Sequence, residues 1–189
     1  MRTALSLLVC LVFTALVAST ASATTVLAGS IEELAESADD LVVGEVLAVE
    51  PFIAADGRVF TRVTIAPSQA RLDHDGSIEL IVPGGRTDDL ATRVFGAETY
   101  RTGEQVAVFV EARPDGAFQS VSLAFSKFEI VVDEDAGAWW AVRDLDELSL
   151  VEMDPVTGVV TTLAVEYPTA LPLDELLLRA DGAFEAAPR

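Results

Sequence analysis

The sequence predicts a mainly β fold, an antiparallel barrel or sandwich, with a short helix before it and an added β-hairpin and a short helix after it. Three observations carry this prediction. Apolar and polar residues alternate in eight or nine short stretches, the period of a strand with one buried face. Turn signals such as Asp-Gly and Pro-Asp-Gly recur about every 8 to 15 residues between those stretches. Helical spacing of apolar residues occurs only near the two ends, which argues against alternating β-α units.

The elements follow in order. Ser30 with Glu33 three residues later is a capping box, and Ile31, Leu34, Ala35 and Ala38 share one helical face, so 31–38 is expected to be a short helix. From Asp40 the period becomes two. Leu41 to Val49 is a long strand, with Gly44 marking a bulge or a close approach. Asp56-Gly57 is a hairpin turn. Val59, Thr61, Val63 and Ile65 form the next strand, and Pro67 marks its edge, a bulge or its end. Asp75-Gly76 leads to Ile78, Leu80 and Val82. Residues 83–103 form a long irregular connector opened by Pro83-Gly84-Gly85, and connectors of that length are often functional. Val106, Val108 and Val110 alternate, Pro114-Asp115-Gly116 turns, and strands follow over 117–125, 127–132 and 138–143. Leu148 to Met153 and Val159 to Val165 flank Asp154-Pro155-Val156-Thr157-Gly158, the added hairpin. Pro172, Leu173, Leu176, Leu177 and Ala180 predict the closing helix, with a loose tail from Asp181.

The amino end reads as a secretory leader. Arg2 is the lone early charge, Ala4 to Val17 is an uncharged apolar run, and Ala21-Ser22-Ala23 is a small-x-small cleavage pattern. Cleavage is expected between Ala23 and Thr24, leaving one domain over 24–189 with a core at about 31–132 and the hairpin and helix at about 138–180. The apolar run is too short for a membrane anchor, and the mature chain contains no other candidate span. Cys10 is the single cysteine and leaves with the leader, so the mature chain has neither disulfide nor thiol chemistry and relies on its core. The expected location is the periplasm or the extracellular medium.

The whole chain carries 12 basic and 31 acidic residues, and loss of Arg2 takes the net charge from −19 to −20. Nucleic-acid binding, which needs a basic surface to displace phosphate counterions, is excluded on that ground. His74 is the only histidine and lies in Asp73-His74-Asp75-Gly76, where it reads as a solvated turn residue; there is no Gly-x-Ser-x-Gly elbow. Zinc held by His and Cys is excluded by count. Asp73 and Asp75, and Asp133 with Asp135, resemble fragments of calcium loops, because clustered hard oxygens suit calcium. No cofactor is expected. Trp139 and Trp140 are adjacent on a strand, so one is expected to enter the core while the other is exposed or covered by a terminal helix, where an exposed indole could contact a sugar or a protein. Arg86 and Arg93, on the 83–103 connector, could face an acidic partner.

The segment Ala38-Asp39-Asp40-Leu41-Val42-Val43-Gly44-Glu45-Val46 resembles the A-D-x-V-V-x-G-x-V opening of a group of secreted bacterial proteins that lack an assigned activity. Phe60-Thr61-Arg62-Val63-Thr64, Val82-Pro83-Gly84-Gly85, Gly103-Glu104-Gln105-Val106-Ala107-Val108-Phe109-Val110, Lys127-Phe128 and Leu171 to Leu178 are similar to that group's later landmarks. Arg71-Leu72-Asp73 stands where the group has Leu-Lys-Gly, and Ser126 replaces its Gly. More distantly, the opening is similar to the netrin-like, OB-fold barrel of tissue inhibitors of metalloproteinases, which implies an OB-like core here. Those inhibitors use an amino-terminal cysteine braced by disulfides, and this chain has neither.

The leading expectation is a non-enzymatic exported binding domain, its partner an exported or cell-surface protein, with an exposed apolar or aromatic patch and no convergent titratable groups. A protease-inhibitor-like module would instead project its new amino terminus at Thr24 as a free wedge. A carboxylate hydrolase would show an acid-lined cleft.

Overall fold

A computed structural model describes residues 24–72, 74, 76–146, 148–153, 160–162 and 169–187. The leader expected up to Ala23, Asp73, Asp75 and the turn expected at 154–158 lie outside the described residues.

In chain order the strands are β1 (Thr24–Leu27), β2 (Asp40–Ile53), β3 (Val59–Gln69), β4 (Ile78–Pro83), β5 (Gly85–Arg86), β6 (Ala91–Thr92), β7 (Gln105–Ala112), β8 (Phe118–Ser120), β9 (Lys127–Asp133), β10 (Ala138–Val142), β11 (Leu148–Met153), β12 (Val160–Thr162) and β13 (Ala170–Pro172). Among the described residues there are two α-helices near the two ends, as expected: α1 (Ile31–Ser37), between β1 and β2, and α2 (Leu173–Ala186), after β13.

Five strands close a barrel in the order β2-β3-β4-β8-β7 and back to β2. All its neighbours are antiparallel except β4 and β8, which run parallel and meet at Leu80 and Phe118. This is an OB-like barrel, closure of which removes the exposed edges an open sheet would carry. On the far side of β7 the sheet continues through β9, β10 and β13. A separate small sheet joins β1, β11 and β12.

The capping box forms as the sequence predicts. Ser30 Oγ accepts the Glu33 N–H at 3.1 Å, and the Glu33 carboxylate accepts the Ser30 N–H at 2.7 Å. Gly44 is the bulge: the β2–β3 register slips between Val43 and Gly44, and a Cβ at Gly44 would lie 2.2 Å from the Ala66 carbonyl oxygen. Pro67 sits opposite Gly44 at this slip, so its missing N–H is tolerated and β3 runs on to Gln69.

Two cores result. Val42, Val46, Val63, Ile65, Leu80, Val106 and Val108 fill the barrel. Leu41, Val43, Ala107, Phe109, Phe128, Ile130 and Ala141 form a second core with Ile31 and Leu34 of α1 and Leu176, Ala180 and Phe184 of α2. β2 and β7 are therefore buried on both faces near their pairing, which explains why Leu41-Val42-Val43 and Val106 to Val110 are continuous apolar runs.

Three local expectations are corrected. The stretch 117–125 is a strand only to Ser120, after which Leu123–Ser126 form a 3₁₀ turn that lodges Phe125 in the second core. The 83–103 connector contains the small β5–β6 hairpin. No loose tail begins at Asp181: α2 runs to Ala186 because Ala183 and Phe184 continue its apolar face, which four-residue spacing from Leu176 already marks.

Candidate functional site

The connector between β4 and β7 is tied down at several points. Gly84 and Gly85 turn it at φ 90° and 137°, and a Cβ on Gly85 would lie 2.5 Å from Thr61 Oγ1. Thr61 Oγ1 donates to the Gly84 carbonyl at 2.9 Å. The Gly96 carbonyl accepts the Ala124 N–H at 3.0 Å, and the Gly103 N–H donates to the Val46 carbonyl at 2.8 Å. Held so, the connector walls a cleft of about 690 Å³ together with the barrel, the start of β9 and the exit of β10.

The cleft gathers titratable groups. Glu98 is 4% exposed, and neither carboxylate oxygen has a hydrogen-bond partner of good geometry among the described residues. Burial pushes its pKa up, opposed by the Ser120 hydroxyl, its own backbone N–H and the charge on Lys127. The Tyr100 hydroxyl is also buried without a partner among the described residues. Burial, reinforced by the charges of Glu98 and Glu104, holds its pKa well above the ordinary phenol value.

The chain's one lysine is fully engaged here. Lys127 Nζ bonds the Glu104 carboxylate, donates to the Thr99 carbonyl at 2.5 Å and lies 4.5 Å from the Tyr100 ring centroid. The Lys127 and Glu104 side chains are only 13% and 6% exposed. Glu104 Oε2 also accepts the Arg101 N–H at 2.9 Å. Nearby, the buried Arg143 guanidinium stacks on Phe125 and Phe128, 4.4 and 4.6 Å from their centroids, and donates to the Phe125 carbonyl at 3.3 Å. Both arrangements satisfy a shielded cation from several sides, as its desolvation requires.

Among the residues singled out in the sequence, Arg93 reaches the cleft lining, its guanidinium 4.9 Å from the Phe95 ring. Arg86 is exposed on β5 and does not line the cleft. Trp139 is 52% exposed and Trp140 half-buried; neither enters a core, which corrects the expectation that one would. Trp139 is in register with exposed Val132, so the β9–β10 hairpin carries a small apolar patch. Asp133 and Asp135 lie in its turn, where Asp133 Oδ1 accepts the N–H groups of Asp135 and Ala136 at 3.0 and 3.2 Å. Among the described residues no three metal-ligating side chains converge.

His74 is not solvated. Its Nε2 lies 3.0 Å from Asp40 Oδ2 and its ring stands edge-on to Phe118, 5.5 Å between centroids. Glu98 and Tyr100 were missed as individuals, although the connector holding them was singled out. Glu104 and Lys127, two separate landmarks of the sequence resemblance, prove to be one ion pair.

No protein-family model matches the chain, and neither curated proteins nor solved structures give a significant match.

Proposed function

We propose that this chain is an exported, non-enzymatic binding domain, and that its ligand occupies the cleft lined by Glu98 and Tyr100. One observation carries the reading: a carboxylate and a phenol, both shielded and both without a hydrogen-bond partner of good geometry among the described residues, line the same cleft. Unpaired polar groups cost a fold several kcal/mol and are uncommon, so a pair of them beside a cleft points to an external partner. The cleft volume falls within the range of small-molecule sites. Export rests on the leader pattern ending at Ala23.

Titratable groups do converge, contrary to the expectation for a simple apolar docking patch. A carboxylate hydrolase is therefore the second reading, favoured by Glu98, Glu104 and Glu129 lining one cleft. It ranks lower because Glu104 is bonded to Lys127, leaving Glu98 without a free carboxylate companion at its depth. The inhibitor-type reading has less support. Thr24–Leu27 pairs in parallel with Leu148–Val151, so the new amino terminus is a sheet strand instead of a wedge.

The test is retention of a native ligand. The chain processed at Ala23 is equilibrated with the small-molecule fraction of its own extracellular medium, desalted and examined by mass spectrometry. Val94→Arg, which places a bulky charge in the lining, should lose the retained compound, whereas Trp139→Ala should keep it. Equal retention by folded Val94→Arg, or no retained compound at all, overturns the reading.

A further inference from the structure

We propose that the cleft binds an alkylammonium group, its ammonium lodged against Glu98 and Tyr100 and its carbon stem along Val49, Val82, Val94 and Ala97; this rests on the cleft being the binding site. The unmet groups define the chemistry. An ionised carboxylate only accepts hydrogen bonds, and a phenol oxygen accepts as well as donates. An ammonium brings three donors and the opposite charge on a narrow stem. Lys127 acts on Glu98 through its charge but gives its own hydrogen bonds to Glu104 and the Thr99 carbonyl.

The alternatives fit less well. An anion would meet a shielded carboxylate in a chain of net charge −19, and the field of such a chain concentrates cations. A bare metal ion needs several converging oxygen ligands, and no group of three metal-ligating side chains exists among the described residues. A neutral alcohol could bond to Glu98 but brings no charge to offset the cost of ionising a buried carboxyl. Val49, Val82, Val94 and Ala97 line the same cleft and give an aliphatic stem apolar surface to cover.

The experiment is calorimetric titration of the chain processed at Ala23 with pentylamine, with pentanol and pentanoate as controls of equal length. Saturable one-to-one binding of the amine, and of neither control, is expected. Glu98→Gln should weaken amine binding by about tenfold or more, since it removes one partner of a shielded charge pair. Tyr100→Phe should weaken it less. Absence of saturable amine binding, equal binding of pentanol, or unchanged affinity in Glu98→Gln overturns the proposal. Thr99→Trp, at an exposed position of the lining, is the second blocking variant should Val94→Arg fail to fold. If blocking variants lose the native ligand while pentylamine fails to bind, the amine class alone is wrong. If they keep the native ligand, the cleft itself is wrong.

Discussion

Asp40 and Glu98 are both shut away from solvent, and the chain treats them in opposite ways. Asp40 accepts the N–H groups of Arg71 and Leu72 at 2.9 and 3.1 Å and meets His74 Nε2 at 3.0 Å, so it anchors a loop to the start of β2. Glu98 has no such set. Asp40→Ala is therefore expected to cost about 3 to 5 kcal/mol in urea unfolding, because it strands backbone donors and a histidine partner. Glu98 should act through pH. Its folded pKa lies above the ordinary value of 4.5, so its stabilising contribution is complete below that value and is lost as pH rises through the folded pKa. Stability of wild type relative to Glu98→Gln should thus decline over the range from pH 4.5 up to the raised folded pKa, with a slope of at most about 1.4 kcal/mol per pH unit for one proton. A flat difference across that range, measured by urea midpoints, refutes the assignment.

At the scale of elements, α1 and α2 are joined by packing and by one forked ion pair. Arg179 Nε and Nη2 donate to the two Glu32 oxygens at 2.7 and 2.8 Å. That hydrogen bonding, ahead of the opposing effect of burial, holds Glu32 down to about 2. Its contribution is present above pH 4.5 and is lost as pH falls toward about 2, the opposite direction to Glu98. Both side chains are substantially exposed, so solvent screening keeps the effect small and packing dominates. Leu176, fully buried, and Leu178, 75% exposed, separate the two contributions within one helix. Leu176→Ala should cost about 2 to 5 kcal/mol, whereas Leu178→Ala should stay within about 0.5 kcal/mol, both read from chemical denaturation. The bulge at Gly44 is as sharp a test: Gly44→Ala should destabilise measurably, since the new Cβ would collide with backbone that cannot swing aside.

Across the whole molecule, the barrel and the helix-covered outer face share β2 and β7 as a common wall. Deleting 173–187 should uncover Phe109, Phe128 and Ile130 while leaving the barrel interior filled, so the shortened chain is expected to bind a hydrophobic dye that the intact chain does not. Much of this architecture was legible locally. The capping box, the bulge glycine, the period-two runs and the turn pairs each report a constraint satisfied within a few neighbours. The acidity and the single cysteine also follow from composition alone. The 3₁₀ turn at Leu123–Ser126 was not legible, because Phe125 is drawn into a core whose other members lie far away in the chain. Closure of the barrel likewise depends on Leu80 meeting Phe118, a contact no local pattern encodes. The same limit applies to the site. Glu98 is one of 31 acids, and among the described ones it is set apart by what tertiary packing removed from around it, namely water and partners of good geometry. Sequence patterning thus determined which segments became strands and helices, because that choice is settled by neighbours along the chain. Folding decided which carboxylate is caged, which is left unmet and where the cleft opens, because desolvation and charge pairing are properties of groups brought together from distant positions.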